Sequence, residues 1–185
     1  MRILAISGSL RDNSYNTALA RAAADRAPAG TWIELYDGLG KIPAYDADLD
    51  GEDAPEAVRD LRKRIAAADA LFFVTPEYNG SIPGVLKNAI DWASRPPRGA
   101  ASIWGKTAAV AGVTTGQHGA IWAQQDLRRV LGIAGARVID GELPVARADD
   151  VFDAMGTLTS PVIAERVRDH VGALVEQAVP ATLAA

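Results

Sequence analysis

The sequence predicts an α/β fold: a parallel β-sheet with helices packed on both faces. Three observations carry that expectation. Strand-like and helix-like segments alternate from end to end, the pattern of parallel strands joined by helical crossovers. The run Ala70 to Val74 is apolar throughout, as in a central strand covered on both sides. Five such strands can be counted, and in sheets of this kind ligands sit outside the carboxyl ends of the strands, where strand order reverses. That rule singles out the segments after the first, third and fourth strands.

The elements follow in order. Arg2 to Ser7 reads as a strand, and Tyr15 to Ala27 as a helix ended by Pro28 and Gly30. Thr31 to Tyr36 alternates like a strand near a sheet edge. Asp37 to Asp53, rich in Gly, Asp and Pro, is longer than an ordinary connection, and loops of that length are commonly lids or contact surfaces. Ala54 to Ala68 has helical spacing, with Val58, Leu61 and Ile65 on one face. After the strand at Ala70 to Val74, Pro83 to Ser94 predicts a helix that buries Val85, Leu86, Ala89, Ile90 and Ala93. Thr107 to Thr114 is a strand of small residues, Ile121 to Leu131 a helix, and Ala136 to Asp140 a short fifth strand. Val162 to Val179 closes the chain as an amphipathic helix, with Val167, Val171, Leu174 and Val175 inside. The 185 residues suit one domain, 1–185, with an ample core.

Composition narrows the function. A net charge of −4 with both signs dispersed argues against a nucleic-acid partner. There are no cysteines, so disulfides, thiolate metal sites and cysteine nucleophiles are excluded. His118 and His170 are the two histidines, too few for a histidine-rich metal site and poor material for a triad. No apolar run approaches a membrane span. Met1 leads directly into a strand pattern rather than a leader. A cytoplasmic location is expected, which leaves the glycosylation acceptor Asn79-Gly80-Ser81 without weight.

The first loop, "SGSLRDNSYNTAL", leads into a helix N-terminus, where free N–H groups favour an anion. Gly8 permits a tight turn. Ser9, Ser14, Asn16 and Thr17 offer short polar side chains, and Arg11 a guanidinium. Helix capping by Ser14 or Asn16 is the plainer reading, but it leaves Arg11 and the density of donors unused. The loop closes with no Gly-Lys-[Ser/Thr] and lacks Gly-x-Gly-x-x-Gly. A mononucleotide phosphate fits it better than a pyrophosphate.

The second loop, "TPEYNGSIPG", carries Asn79-Gly80, the strongest short hairpin signal, yet a helix follows it. A clamp on the edge of a planar heteroaromatic ring explains the turn better than a hairpin does. Pro76 stops the ladder, Gly80 permits an unusual turn, Tyr78 supplies a flat face and Asn79 an amide. Ser81 is expected to cap the helix that Pro83 helps to start. Glu77 and Lys87 suggest a pair, as readily structural as catalytic.

"GSLRDNSYNTAL" together with "TPEYNGSIPGVLKNAIDWAS" resembles the NADPH-dependent FMN reductase family, which includes quinone, azo-dye and chromate reductases. The resemblance spans roughly Arg2 to Ala136. It implies a flavodoxin-like three-layer α/β/α sandwich with strand order 2-1-3-4-5, bound FMN, NAD(P)H as co-substrate, and assembly as dimers or tetramers. By the same resemblance, Ser9, Arg11, Ser14, Asn16 and Thr17 match the FMN phosphate loop. Pro76, Glu77, Tyr78, Asn79 and Gly80 match the isoalloxazine loop. In the third loop, "TTGQHGA", Thr114, Thr115, Gly116 and Gly119 keep the family character, while His118 and the single final glycine depart from it. The tail after Leu143 matches no pattern.

The chemistry then needs little from side chains, because the flavin carries the hydride. No residue is assigned an obligatory catalytic role, and His118 at most a minor one. Trp92 and Trp122 either flank the flavin or pack as helix tryptophans do. The leading expectation is an FMN-dependent NAD(P)H oxidoreductase that reduces quinones, free flavin or other diffusible acceptors. A flavodoxin-type electron carrier and a non-catalytic FMN-binding redox sensor are the alternatives. The modest net charge and the lack of an aromatic in "TTGQHGA" favour the enzyme.

Overall fold

The computed structural model describes residues 1–51, 53–96 and 99–178. In chain order its elements are β1 (Arg2–Ser7), α1 (Tyr15–Asp25), β2 (Trp32–Leu35), α2 (Glu56–Ala67), β3 (Ala70–Thr75), α3 (Gly84–Ala93) and β4 (Thr107–Val113). There follow α4 (Ile121–Ile133), β5 (Arg137–Val138), β6 (Leu143–Val145), α5 (Ala148–Val151) and α6 (Pro161–Gln177). The sheet order is β2-β1-β3-β4-β5, with β6 also on β4, and every pairing is parallel.

Side chains alternate across each strand, so the sheet has two separate apolar faces. Ile3, Ala5, Phe72, Val74 and Ala109 pack with α1 and α6, through Leu19, Val167, Val171 and Leu174. Leu4, Ile6, Leu71, Phe73 and Val110 pack with α2, α3 and α4, through Leu61, Ile65, Leu86, Ile90 and Leu127. This is the expected three-layer α/β/α sandwich. β3 and β4, in the middle, are buried along their whole length.

Helix ends differ from expectation by one or two residues. α1 stops at Asp25, because the amide of Arg26 already turns back onto Ala23 and Ala24. Val85 and Val175, expected inside, are half-buried, and Trp92 is fully buried instead. Val179, the expected end of the last helix, lies outside the described residues.

The fifth strand is a larger departure: it comes in two pieces. β5 pairs at Thr107 and Ala108, β6 at Ala111 to Val113, and between them Gly141 adopts φ 86°. Arg128 of α4 fills the interruption. Its guanidinium donates to the carbonyls of Ile139 and Gly141 and lies 3.4 Å from Glu142. From the other face, His170 Nε2 sits 3.0 Å from the carbonyl of Val110, which lies opposite the gap.

Burial of that ring pushes the His170 pKa below its ordinary 6.5. The unfolded chain therefore takes up a proton at a pH where the folded chain does not. Stability should be constant above about pH 6.5 and fall as the pH drops toward the depressed value. Urea unfolding of His170→Gln, which keeps an N–H for Val110, should show a shallower loss between pH 7.5 and 5.5. An unchanged slope would place the proton elsewhere.

The long connection after β2 is not left free. It contains two short 3-10 turns, Leu39–Lys41 and Ala47–Leu49, and it is fastened to α3. Asn88 accepts from the Tyr45 amide and donates to the Pro43 carbonyl, each at 2.8 Å. The indole N–H of buried Trp92 donates to the same carbonyl at 2.9 Å. Arg62 holds Asp50 at 2.7 Å.

Candidate functional site

The loops after β1, β3 and β4 meet at one end of the sheet. Nine of the residues singled out from sequence line a single cleft of about 170 Å³ there: Ser9, Arg11, Ser14, Asn16, Pro76, Glu77, Tyr78, Thr114 and Thr115. Tyr15 and Val113 complete the wall. Thr17 lies behind the first loop, Asn79 and Gly80 form the tip of the second, and Gly116 and Gly119 lie further along the third.

In the first loop Ser14 is the N-cap of α1, accepting from the amides of Asn16 (3.2 Å) and Thr17 (3.3 Å). Its hydroxyl hydrogen stays available to donate into the cleft, so capping and anion binding are compatible. Thr17 donates to Ser7 Oγ at 2.9 Å. The Asn16 amide is committed elsewhere: Nδ2 donates to the Val113 carbonyl at 3.1 Å, and Oδ1 accepts from the Val113 amide at 3.0 Å. It rivets α1 to the end of β4. Arg11 is exposed and makes no ion pair among the described residues.

The second loop is a true two-residue hairpin turn. Tyr78 and Ser81 exchange both backbone hydrogen bonds (3.0 and 3.1 Å), and Asn79 and Gly80 have φ 53° and 74°, as a type I′ turn requires. The hairpin signal was therefore accurate, although the ladder ends at once. Ser81 does not cap α3, whose N-cap is Pro83 without a side-chain bond. Its hydroxyl donates to Asp126 on α4, which with Arg129 holds that carboxyl below the usual range. Lys87 pairs with Asp91 at 2.7 Å rather than with Glu77.

Glu77 has a different duty. The N-cap of α4 is Ala120, which adopts φ 59° and offers no side-chain cap. The Ala123 amide instead donates to Glu77 Oε2 at 3.1 Å. A carboxylate at that end also complements the helix dipole. The second loop thus supports the helix that follows the third.

The third loop rests on the tail that matched no sequence pattern. Thr114 donates to the Val145 carbonyl, Ala148 to that of Thr114 and Arg147 to that of Gly116, at 2.9–3.1 Å. Buried Gln124 bridges Gly119 and Leu143. A Cβ on Gly119 would lie 2.7 Å from the Val145 nitrogen, so glycine is required for this approach. His118 is exposed and packs at 4.8 Å against half-exposed Trp122. Trp92 is buried in the structure beneath the long connection, away from the cleft.

Sequence reasoning passed over Tyr15. Its hydroxyl donates to Asp149 at 2.6 Å, and that bond raises its pKa. Nothing local signals the pair, which is 134 positions apart. The donor set of the cleft suits FMN. Hydroxyls, a helix N-terminus and the Arg11 guanidinium, unpaired among the described residues, match a phosphate monoester, while exposed Tyr78 and two loops of peptide groups match a flat ring with polar edges.

The model of the family described as NADPH-dependent FMN reductase matches residues 1–150. The chain belongs to that family. Among curated relatives of this FMN reductase family member, an NAD(P)H-dependent FMN reductase of Pseudomonas aeruginosa is 44% identical over 175 residues, covering 94% of this chain and 93% of the relative. A 2-hydroxy-1,4-benzoquinone reductase of a Burkholderia species is 41% identical and covers 86% of each. Among solved structures, FerB of Paracoccus denitrificans, a flavoenzyme NAD(P)H:(acceptor) oxidoreductase, superposes with a TM-score of 0.82 at 37% identity over 95% of each chain.

Proposed function

We propose that this chain, as a single domain, is an FMN-dependent NAD(P)H oxidoreductase that reduces quinones or similar diffusible acceptors. The observation that carries this reading is the convergence of the three loops on one cleft in a member of the FMN reductase family. Ser9, Arg11 and Ser14 would hold the phosphate. Peptide N–H groups of Asn79 and Gly80, and of the third loop at Thr115 and Gly116, would face the polar edges of the ring. Asn16, Thr17, Glu77 and Gly119 act by holding the three loops in register. FMN, when bound, supplies the centre that accepts a hydride and passes it on.

Tyr78 lines the cleft and is half-exposed, and one open flavin face would serve one flat partner at a time. Nucleotide and acceptor then enter in turn. Steady-state oxidation of NAD(P)H with a quinone should give parallel double-reciprocal lines. His118→Ala should cost less than about tenfold in kcat, below the usual contribution of a general acid. Intersecting lines, or a hundredfold loss, would contradict this. A protein that takes up no FMN on titration would contradict the whole reading.

Self-association as a dimer or tetramer is part of the same proposal. The connection after β2 is held by its own chain, so it gives no argument for contact between copies. A groove of about 450 Å³ between α3 and α4 does: exposed Trp104 and Ile133 line it beside Lys87, Asp91 and Arg129. Both signs of charge around apolar groups suit a self-complementary contact. Light scattering should report more than one chain per particle, and Ile133→Glu should shift it toward the monomer. Among the described residues no helix is long and apolar enough to cross a membrane.

A further inference from the structure

The chain beyond β6 ties the third loop to the first from outside. It turns at Arg147, whose φ of 50° is uncommon for a residue with a side chain, and there its amide reaches the Gly116 carbonyl at 2.9 Å. The next amide, of Ala148, donates to the Thr114 carbonyl at 3.0 Å. α5 then carries Asp149 and Phe152 across to Tyr15, the first residue of α1. Asp149 Oδ1 accepts from the Tyr15 hydroxyl at 2.6 Å, and the two rings of Tyr15 and Phe152 lie with centroids 5.4 Å apart. Phe152 is 5% exposed, belongs to the core under α1 and α6, and is bridged through its backbone to Leu158. It is a fixed surface for the tyrosine.

Tyr15 is a wall of two clefts. One is the three-loop cleft, and the other, of about 200 Å³, opens toward Asp153 and Gly156. Arg11, Ser14 and Tyr15 line both, so the partition between the clefts consists of two phosphate-loop side chains and one ring. Ser14 is fixed as the N-cap of α1. The Tyr15 ring is held at two points, its face by Phe152 and its far end by Asp149. The bond to Asp149 keeps the Tyr15 pKa above its ordinary 10, so the phenol retains its proton, and with it the bond, at any working pH. Without Asp149 one contact remains, and the task of ordering the ring passes to whatever occupies the cleft.

We propose that Asp149 is a positioning residue for FMN: through Tyr15 it fixes the wall at the first-loop end of the cleft, and so sets how fast the flavin leaves. The inference rests on the three-loop cleft being the flavin site. Asp149 acts here through an oxygen rather than through its charge, because what the tyrosine hydroxyl needs is an acceptor. Asparagine supplies that acceptor and alanine does not. The effect falls on release rather than capture, as affinity changes at one site usually do.

The test is FMN binding and release, followed by flavin fluorescence, in a set of full-length variants. Asp149→Ala should raise Kd and the release rate by roughly 3- to 10-fold, the cost of ordering one more side chain on binding. Tyr15→Phe, which lacks the hydroxyl, should do the same, and the double variant should lose no more than either single one. Asp149→Asn should bind and release FMN as the wild type does. Urea unfolding of the apoproteins should give Asp149→Ala the wild-type midpoint, since the pair is exposed. A midpoint that falls in step with the binding loss would make the pair a fold contact only. Tighter binding by both Asp149→Ala and Asp149→Asn would show a carboxylate that merely repels the phosphate. Additive losses would separate Asp149 from Tyr15, and unchanged affinity would leave the ring fixed by Phe152 alone. Each of these results overturns the proposal. A wild type that takes up no FMN sinks the flavin reading and this assignment with it, whereas normal uptake with unaltered variants sinks this assignment alone.

Discussion

Asn16→Leu is expected to lower the free energy of unfolding by about 2–4 kcal/mol, from the desolvation of two buried backbone groups. Leucine keeps the branched shape of asparagine but is bulkier, so some overpacking adds to the loss. What is lost is the reciprocal pair of bonds to Val113. Val113 is 2% exposed and Asn16 5%, so no water takes their place. Because Asn16 joins α1 to β4, the variant should also let the first and third loops drift apart and weaken FMN binding. Urea unfolding and flavin fluorescence titration measure the two effects. A variant as stable as the wild type would show that the bridge is replaceable.

Arg11→Ala should weaken FMN binding by roughly 1.5–3 kcal/mol, the range for hydrogen bonds to charged groups. That is about 10- to 150-fold in Kd. The apoprotein should unfold at the same urea concentration as the wild type, because the exposed guanidinium makes no ion pair among the described residues that its removal could break. The pairing of a large binding loss with no stability loss separates it from Asn16→Leu. Added salt should weaken the wild type more than the variant, since an exposed charge is screened. Unchanged flavin affinity would mean that peptide N–H groups suffice for the phosphate.

The strands were legible because burial writes its own period. "ALFFV", short and bounded by Asp69 and Pro76, reads as a covered strand, and the alternation in "TWIEL" marks an edge. Loops rich in hydroxyls and glycine could be read as ligand loops because each carries its chemistry locally. What stayed hidden depends on partners far apart in the chain. Glu77 looks like half of an ion pair until α4 arrives 46 positions later to be capped by it. Asn16 looks like a phosphate ligand until Val113, 97 positions away, takes both ends of its amide. Asp149 carries no signal at all, since only the return of the chain past β6 sets it against Tyr15. β6 escaped notice because "LPV" is three residues long with proline at its centre.

The interrupted fifth strand also governs how copies of the molecule can meet. A sheet edge is a template on which another chain can grow by backbone pairing. At this edge the chain presents two residues, then a left-handed Gly141 flanked by Asp140 and Glu142, then three residues whose middle one, Pro144, has no N–H to offer. The rows of donors and acceptors fall out of phase, and the break itself is filled by the Arg128 guanidinium. A neighbour cannot lay a strand along it. This edge therefore offers no route to assembly, and concentrated folded protein should resist edge-to-edge fibre growth from this side.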